Sequence, residues 1–269
     1  MQTEKNNKTK KSNQQKAANL IQYWSYGYYH FIIETLPKFA QIHDTFWSSD
    51  HSDMGLIVDN IGHVIDFFKS VMGIPEHRLI KNTGSIAVEE LFFIPHTVCD
   101  FPIVQNLLRS APITKTSFSQ FLPAKHKIHK YANTKRTREL VFRKLGIDIV
   151  QNRTNHSFYD EIPGDYIVVA NRNPSKGRSI QNFDEMIGDL KEKFPGEEIK
   201  AIYFERMSMA DQIRLLSRAK MYIGPHGAGL VNMLWMPLHS STTIFEFMPD
   251  RYPITVYYKL AAQLRFQYW

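Results

Sequence analysis

The nine residues from Gly224 to Asn232 combine a flexible backbone with one ionisable side chain. Gly224, Gly227 and Gly229 have no Cβ, so the chain can turn sharply there and approach a ligand closely. An apolar run precedes the turn and another follows it, which is typical of a strand, a turn and a helix. The first N–H groups of such a helix favour an anion such as phosphate. His226 could donate to that anion, or it could lie buried in an ordinary turn.

Two arginines follow the apolar run Tyr166–Ala170, which the pattern predicts to be a strand. Guanidinium groups at the carboxyl end of a strand can hold a diphosphate through paired hydrogen bonds. Arg172 and Arg178 are therefore candidate phosphate ligands, whereas Lys176 between them is predicted to be solvated. The alternative is a solvated basic loop, but the position of Arg172 just beyond the strand favours binding.

His30 and Glu34 lie four residues apart in a segment with helical periodicity, so they share one face of the helix. Transfer of a group to a hydroxyl needs a base to accept the hydroxyl proton, and either side chain could serve. The alternative is structural: Glu34 would pair with Lys38 one turn further on, and His30 would be a satisfied core histidine.

Glu246 lies near the end of the apolar run Thr243–Phe247, and acidic residues at strand ends commonly bind ribose hydroxyls. The alternative is an exposed carboxylate paired with Arg251. Metal sites have little support, because the sequence contains neither Asp-x-Asp nor His-Glu-x-x-His. Cys99 is the only cysteine, which excludes an intramolecular disulfide.

The second half of the chain alternates strand and helix patterns four times, which predicts a parallel sheet with helices on both faces. Ligands of such sheets bind beyond the carboxyl ends of the strands. The loop Asn171–Arg178 (the arginine loop), the turn that contains Gly224, Gly227 and Gly229 (the glycine turn) and Glu246 are all expected there. The predicted strands are 166–170, 199–204, 221–223 and 243–247, and the predicted helices are 183–194, 208–218, the segment after the glycine turn, and 254–264. Asn182 with Glu185 and Ser208 with Asp211 are predicted to cap two of the helices.

The first half is less regular. Residues 1–18 are rich in Lys, Asn and Gln and are predicted to be a disordered polar tail. A helix is expected from Tyr28, with a kink or break at Pro37. Further predictions are strands at 55–58 and 85–94, helices at 61–72 and 134–145, and an irregular segment at 95–130. A linker at 151–164 separates an amino-terminal domain, 19–160, from a carboxyl-terminal domain, 161–269.

The composition is that of a globular protein large enough for two domains, with 269 residues of which 43% are hydrophobic. The net charge of +7 suits an anionic ligand, either a nucleotide-sugar or nucleic acid. Five of the lysines lie in the first sixteen residues, so the folded part is only mildly basic. We expect no membrane span, because no apolar run approaches the required length of about 18 residues.

Three blocks in this order resemble glycosyltransferase family 61, the DUF563 group. The segment from Gly224 to Pro237, with Ile244–Phe247 beyond it, resembles the family signature. Residues 28–38, with the pattern aromatic-x-His-x-x-x-acid-x-Leu-Pro-basic, resemble the amino-terminal block, and residues 171–178 resemble the central arginine-rich loop. The blocks span residues 28 to about 260, and together they are specific.

The resemblance implies two Rossmann-like domains in a GT-B-like arrangement, of which the amino-terminal one could be incomplete. It also implies inverting, metal-independent transfer, without a cofactor, from a nucleotide-sugar, expected to be UDP-linked, to a hydroxyl of a glycan or of a protein Ser or Thr. Golgi or ER luminal location follows from the family, whereas the lack of a signal or anchor points to the cytoplasm. The implied roles are catalysis by His30 or Glu34, phosphate binding by Arg172 and Arg178, ribose binding by Glu246, and donor binding by His226, Gly227, Ala228, Gly229 and Leu230.

Two other functions remain open at this point. A non-catalytic nucleotide-sugar or glycan-binding protein would keep Arg172, Arg178 and His226 but show no turnover. A nucleic-acid-binding protein would need a basic face interleaved with aromatic side chains, with steep salt dependence, and the sequence shows no such stripe. We therefore expect no nucleic-acid partner.

Overall fold

The computed structural model describes residues 10–11, 16–22, 24–84, 86–94, 126–149, 161–248 and 255–269. Each half of the chain is built on a parallel sheet flanked by helical segments. The chain divides into two compact units, the first comprising residues 1–69 with 73–140 and the second residues 141–269 with 70–72. The structure is therefore a mixed α/β protein with Rossmann-like parallel sheets, as predicted.

The first unit contains a four-stranded parallel sheet and a separate two-stranded pair. The strands are β1 (Lys10–Lys11), β2 (Lys16–Asn19), β3 (Gly55–Asp59), β4 (Leu79–Asn82), β5 (Ile86–Ala87) and β6 (Glu90–Phe93). In the larger sheet the order is β4-β3-β2-β6, so β2 and β3 occupy the centre. Strand β4 was missed by the sequence analysis, and the predicted segment 95–130 lies largely outside the described residues.

The predicted tail of residues 1–18 is wrong at its carboxyl end, because β2 begins at Lys16. Ala17 and Ala18 are fully buried between β3 and β6. The prediction failed because the lysine- and glutamine-rich composition outweighed this short apolar pair. The small side chains of the pair suit a central strand that is buried on both faces. The residues described in this tail thus contribute to a sheet.

The helical region predicted from Tyr28 runs without a break to Phe46. It consists of α1 (Tyr28–His30), a π-helical segment (Phe31–Thr35) and α2 (Leu36–Phe46). The break expected at Pro37 is absent, because Pro37 lies in the first turn of α2 directly after the π-helical segment. The wider π turn changes the hydrogen-bond register just where proline supplies no N–H. All ten residues from Phe31 to Ala40 are buried, which anchors this region in the first unit.

The other helical segments of the first unit are α3 (Gly62–Asp66), a second π-helical segment (Phe67–Val71) and two 3₁₀ turns (Ser49–His51 and Glu76–Arg78). Helix α4 (His126–Leu145) crosses the division between the units. Its end belongs to the second unit, because Val141 and Phe142 are buried and the Phe142 ring lies 6.3 Å from that of Trp235. The second unit thus begins before the predicted boundary at residue 161, and residues 150–160 of the predicted linker lie outside the described ranges.

The second unit contains a five-stranded parallel sheet and three α-helices. The strands are β7 (Tyr166–Asn171), β8 (Ile199–Tyr203), β9 (Ala219–Pro225), β10 (Thr243–Phe247) and β11 (Gln267–Tyr268), and the helices are α5 (Phe183–Lys193), α6 (Met209–Leu216) and α7 (Val256–Leu264). The strand order is β11-β10-β9-β7-β8. The four predicted strands are all present, and β11 at the edge was missed.

Packing on this sheet follows the sequence periodicity. Phe183 and Ile187 of α5 pack against Ile167 and Val169 of β7 and Ile223 of β9. Every residue of β7 is buried, as expected for a strand in the interior of a parallel sheet. This core holds β7 and β9 together, and the pairing of β10 with β9 places the carboxyl end of β10 beside theirs.

One of the two predicted helix caps is confirmed. The Ser208 hydroxyl accepts a hydrogen bond from the Asp211 N–H at 3.1 Å, at the start of α6. Asn182 precedes α5 but makes no side-chain cap, so that prediction is wrong. The backbone of Asn182 has left the extended conformation that a capping side chain needs, with φ of −91° and ψ of 41°.

Candidate functional site

A cavity of about 440 Å³ lies at the carboxyl edge of the second unit's sheet. The loop after β7 forms one wall, and the ends of β9 and β10 form the other. This volume is within the range of small-molecule sites. Residues on both walls include predicted ligands, and the lining comprises Arg178, Asn182, Met186, Pro225, His226 and Phe247 among others.

Asn171, the last residue of β7, closes the arginine loop. Its buried side chain donates to the Ile180 carbonyl at 2.9 Å and accepts from the N–H groups of Ile180 and Arg172, both at 2.8 Å. These three hydrogen bonds hold the start and the end of the loop together. Asn171 belongs to the arginine-rich block but was not predicted to have a role of its own, although an asparagine at a strand end can bind backbone groups in this way.

Arg172 packs against the glycine turn. A Cβ built on Gly227 would lie 2.9 Å from Arg172 Nη1, so any other residue here would displace the guanidinium. The φ of Gly227 is 162°, an extended value open to any residue, so the backbone conformation does not itself require glycine. Among the described residues, Nη1 of Arg172 is buried and has no hydrogen-bond partner. A buried charged N–H group without an acceptor is costly, which marks a place for an anionic ligand.

Arg178 is exposed and lines the cavity. Its backbone is in the left-handed region, with φ of 55°, at the point where the loop turns back towards α5. Left-handed backbone is uncommon for a residue other than glycine. Both arginines therefore lie at the strand edge where the sequence placed them, Arg172 beside the glycine turn and Arg178 in the cavity wall.

His226 lines the cavity and is held on several sides. Its N–H donates to the Phe247 carbonyl at 3.0 Å, which continues the pairing of β9 with β10. Its Nδ1 makes a short hydrogen bond with Glu246 Oε1, and its ring meets that of Tyr257 edge-on with 5.3 Å between centroids. The ring is mostly buried, as the second alternative predicts, and it contributes to the cavity wall. Its donation to an anion stays a prediction.

Glu246 lies behind His226, with only 6% of its surface exposed. One carboxylate oxygen contacts His226 and the other accepts from the Tyr268 hydroxyl. Burial raises the pKa of this carboxyl, and the neighbouring His226 opposes that rise. The alternative of an exposed acid is wrong, and Arg251 lies outside the described residues. Because both oxygens are engaged, the geometry favours orientation of His226 over the predicted contact with a ribose.

The segment after Gly227 is a 3₁₀ helix, Ala228–Trp235, and not the predicted α-helix. The Leu230 N–H donates to the Gly227 carbonyl at 3.0 Å and the Leu230 side chain is fully buried, so this residue serves packing. The predicted contact of Leu230 with a donor stays a prediction. Ala228 is exposed and Gly229 is half-buried, and their binding roles stay predictions.

In the first unit, His30 Nδ1 lies 3.1 Å from Glu34 Oε1. The His30 side chain is 19% exposed and that of Glu34 only 3%. Glu34 also accepts a short hydrogen bond from the Gln22 amide, and the His30 ring lies 5.5 Å from Trp24. The predicted pair on one helix face is therefore present. Only the histidine offers surface to a substrate.

Lys38 is buried, and its ammonium donates to the carbonyls of Leu20 and Ile21 at 3.4 and 3.2 Å. These carbonyls follow the end of β2. Burial lowers the pKa of Lys38 to about 8, and the charge of Glu34 opposes the fall. The structural alternative of a Glu34–Lys38 pair thus survives as an electrostatic interaction, while the direct contacts of the ammonium are to the backbone.

The stability of the protein is expected to depend on the charge of Lys38. Its folded-state pKa of about 8 lies below the ordinary 10.5, so the unfolded chain binds more protons between these pH values. The free energy of unfolding of the native protein, measured relative to Lys38→Met, should therefore rise from pH 8 to 10.5 by up to about 3 kcal/mol. Urea titrations across this interval measure it, and a constant difference between the two proteins would contradict the burial of the charge.

Across the described ranges, no group of three or more His, Cys, Asp and Glu side chains is arranged to hold a metal ion. In the same residues, no helix combines the length and the apolar character needed to cross a membrane.

A parallel sheet with a cavity and two arginines at its carboxyl edge is the architecture of ligand-binding α/β proteins. The sequence profile described as Glycosyltransferase 61 matches residues 28–244. The chain therefore belongs to the glycosyltransferase 61 family, which confirms the resemblance noted from its three blocks. The matched range contains His30, Glu34, both arginines and His226.

A search among curated proteins finds protein O-linked-mannose beta-1,4-N-acetylglucosaminyltransferase 2 of Mus musculus, with 33% identity over 85 residues. The aligned stretch is 32% of this chain and 14% of the mouse protein. The chain thus covers a small part of the length of this relative.

Proposed function

We propose that this protein transfers a sugar, with inversion, from a UDP-linked donor bound at the edge of the second unit to a hydroxyl of a glycan or glycoprotein. Family membership supports sugar transfer in general. The observation that carries the donor site is the buried, unpartnered Nη1 of Arg172 beside Gly227, next to a cavity lined by Arg178 and His226. The two units would form a GT-B-like pair with the acceptor on the first.

Charge neutralisation is the chemical task of the donor site. The departing nucleoside diphosphate gains negative charge as the glycosidic bond breaks, and fixed cations stabilise that charge. Arg172 and Arg178 are permanent cations whose planar groups suit phosphate oxygens. Their placement supports transfer without a metal ion, because two arginines and a histidine can supply the positive field.

The acceptor side requires a base. A sugar or serine hydroxyl is a poor nucleophile until its proton can leave. His30 is the partly exposed member of its pair, so we assign the base to His30 and its orientation to Glu34. The carboxylate at Nδ1 would orient the imidazole towards the acceptor hydroxyl.

Arg172→Ala is expected to weaken UDP binding by about 10- to 100-fold, because a hydrogen bond to a charged group contributes roughly 1.5–3 kcal/mol. Arg172→Lys should fail as well, since a single ammonium cannot reproduce the planar fork. Isothermal titration calorimetry with UDP measures both effects.

Arg218→Ala is the matched control, because Arg218 is an exposed arginine of the same unit that pairs with Asp165, next to the amino-terminal end of β7. Its UDP affinity should equal that of the native protein. Native affinity in both Arg172 variants would exclude Arg172 as a phosphate ligand.

The reaction itself is tested by release of UDP or GDP from a panel of sugar donors, with and without EDTA. The name of the mouse relative specifies an N-acetylglucosamine transfer, so UDP-N-acetylglucosamine is the first donor to test. We expect release from one UDP-sugar that persists in EDTA. The protein could instead bind UDP but release no UDP or GDP from any pairing of sugar donor and acceptor. That result would favour the second candidate, a non-catalytic nucleotide-sugar-binding protein, which would retain the same arginines and cavity.

A further inference from the structure

Three side chains from three strand ends form a hydrogen-bonded series at the back of the cavity. The Tyr268 hydroxyl donates to Glu246 Oε2, and Glu246 Oε1 contacts Nδ1 of His226. Of the three, His226 lines the cavity. Any effect of Tyr268 and Glu246 on a ligand in this cavity therefore passes through the imidazole.

The charge state of Glu246 decides where the hydrogens of the series lie. An ionised carboxylate has none to donate, so the contact with Glu246 requires a hydrogen on Nδ1 of His226. The neutral ring then has Nε2 as an acceptor, and the protonated ring has Nε2–H as a donor. A phosphate oxygen can only accept a hydrogen bond, so the protonated ring, with Nε2–H as its donor, is the state that would bind it.

We propose that Tyr268 and Glu246 are positioning residues of the donor site, which keep a hydrogen on Nδ1 of His226, so that the protonated ring donates from Nε2–H to a phosphate oxygen of the nucleoside diphosphate. The identity of the ligand rests on the proposed function. The hydrogen position is a property of the unliganded protein and can be measured without any nucleotide.

Strand β11 holds Tyr268 in this position. It pairs in parallel with β10, with Ile244 opposite Tyr268. The Trp269 N–H donates to the Ile244 carbonyl at 3.0 Å, and the Glu246 N–H donates to the Trp269 carbonyl at 2.9 Å. The backbone of Glu246 is thus tied to the same short strand that supplies the hydroxyl to its side chain.

The surroundings of Glu246 decide how its charge responds to pH. Burial raises its pKa, whereas the hydrogen bond and charge of His226 lower it. Tyr257 of α7 also faces this carboxylate, and burial and Glu246 both raise the pKa of Tyr257, with Arg178 and Arg172 opposing. A donated hydrogen bond favours the ionised carboxyl, so the Tyr268 hydroxyl opposes the effect of burial.

The first test is nitrogen-15 NMR of histidine-labelled protein, with the His226 signals assigned by their loss in His226→Asn. The native ring should carry its hydrogen on Nδ1, with a strongly downfield proton. Tyr268→Phe, which removes one hydroxyl, should change that downfield shift, and Glu246→Gln should change the hydrogen position itself. Native spectra in both variants would overturn the proposal.

The second test is the pH dependence of UDP affinity and of donor turnover. Without the Tyr268 hydroxyl, the Glu246 carboxyl ionises at higher pH, so the acid limb of both profiles should move up by about one pH unit. At a fixed pH on the acid limb, turnover should then fall by about tenfold.

Tyr258→Phe is the matched control. Tyr258 is an exposed tyrosine whose ring lies 5.6 Å from that of Tyr268. It should leave the NMR signals and the acid limb as in the native protein. An unmoved acid limb in a folded Tyr268→Phe protein would contradict the positioning role.

The two proposals fail in different ways. If the hydrogen lies on Nδ1 and responds to Tyr268→Phe and Glu246→Gln, yet UDP does not bind, the positioning of His226 stands and the donor assignment is wrong. If UDP binds with dependence on Arg172 but Nδ1 of His226 carries no hydrogen, the donor site stands and the positioning role is wrong.

Discussion

With glutamine in place of His30, turnover is expected to fall by about 10²- to 10⁴-fold, the usual contribution of a general base. The affinity for UDP should not change, because the proposed donor site is built from residues of the second unit. Glutamine keeps much of the size and polarity of histidine but cannot accept a proton at neutral pH. Steady-state turnover per folded molecule, with melting measured in parallel, tests this expectation.

His43→Gln is the control for His30→Gln. His43 lies in α2 of the same helical region, and its Nδ1 contacts the neighbouring Asp44 at 2.8 Å. Its replacement should leave turnover as in the native protein. If His30→Gln lowered the melting temperature while turnover per folded molecule stayed native, His30 would be a structural residue and the base would lie elsewhere.

Gly164→Ala is expected to destabilise the second unit by roughly 3 kcal/mol, at the upper end of overpacking effects. A Cβ at Gly164 would lie 2.4 Å from the carbonyl carbon of Ala219 and 2.4 Å from the nitrogen of Lys220. These are backbone atoms at the start of β9, so they cannot swing aside as a flexible side chain could. Denaturant titration followed by circular dichroism gives the change in the free energy of unfolding.

Gly188→Ala provides the opposite case within the same unit. Gly188 lies inside α5, and its added Cβ would have no atom within 4 Å. Alanine favours the helix by about 1 kcal/mol relative to glycine, so this variant should be more stable than the native protein. Equal stability of the two variants would show that Gly164 tolerates a side chain and that β9 shifts to accommodate it.

The parallel sheet of the second unit was predictable because its strands are apolar runs followed by turns and amphipathic helices. Strand β10 has the predicted bounds, Thr243–Phe247. Strands β2 and β11 were not predictable, since each is short and polar in composition and its stability comes from neighbours distant in sequence. The continuous helical region through Pro37 was missed for a related reason, because π-helical register is set by packing and leaves no clear pattern in the sequence.

Some features of the candidate site were likewise predictable from the sequence and others were not. Strand order alone places Arg172, Arg178 and His226 at one edge of the sheet, and this follows from the alternation of strands and helices. The packing of Arg172 against Gly227 and the contact of Tyr268 with Glu246 depend on interatomic distances that no spacing in the sequence encodes. The residues at this edge could therefore be predicted from the sequence, whereas the contacts between them could not.

The three hydrogen bonds of Asn171 also bear on the thermodynamics of ligand binding. They tie residue 172 and residue 180 to one side chain, so contacts within the protein itself hold the arginine loop closed. The loss of chain entropy on ordering this loop then occurs during folding and does not oppose association with a ligand. Preorganisation of this kind lets each contact to a diphosphate contribute more of its interaction free energy to affinity. It also makes the loop a rigid template, which selects ligands by the fixed spacing of the charges it carries.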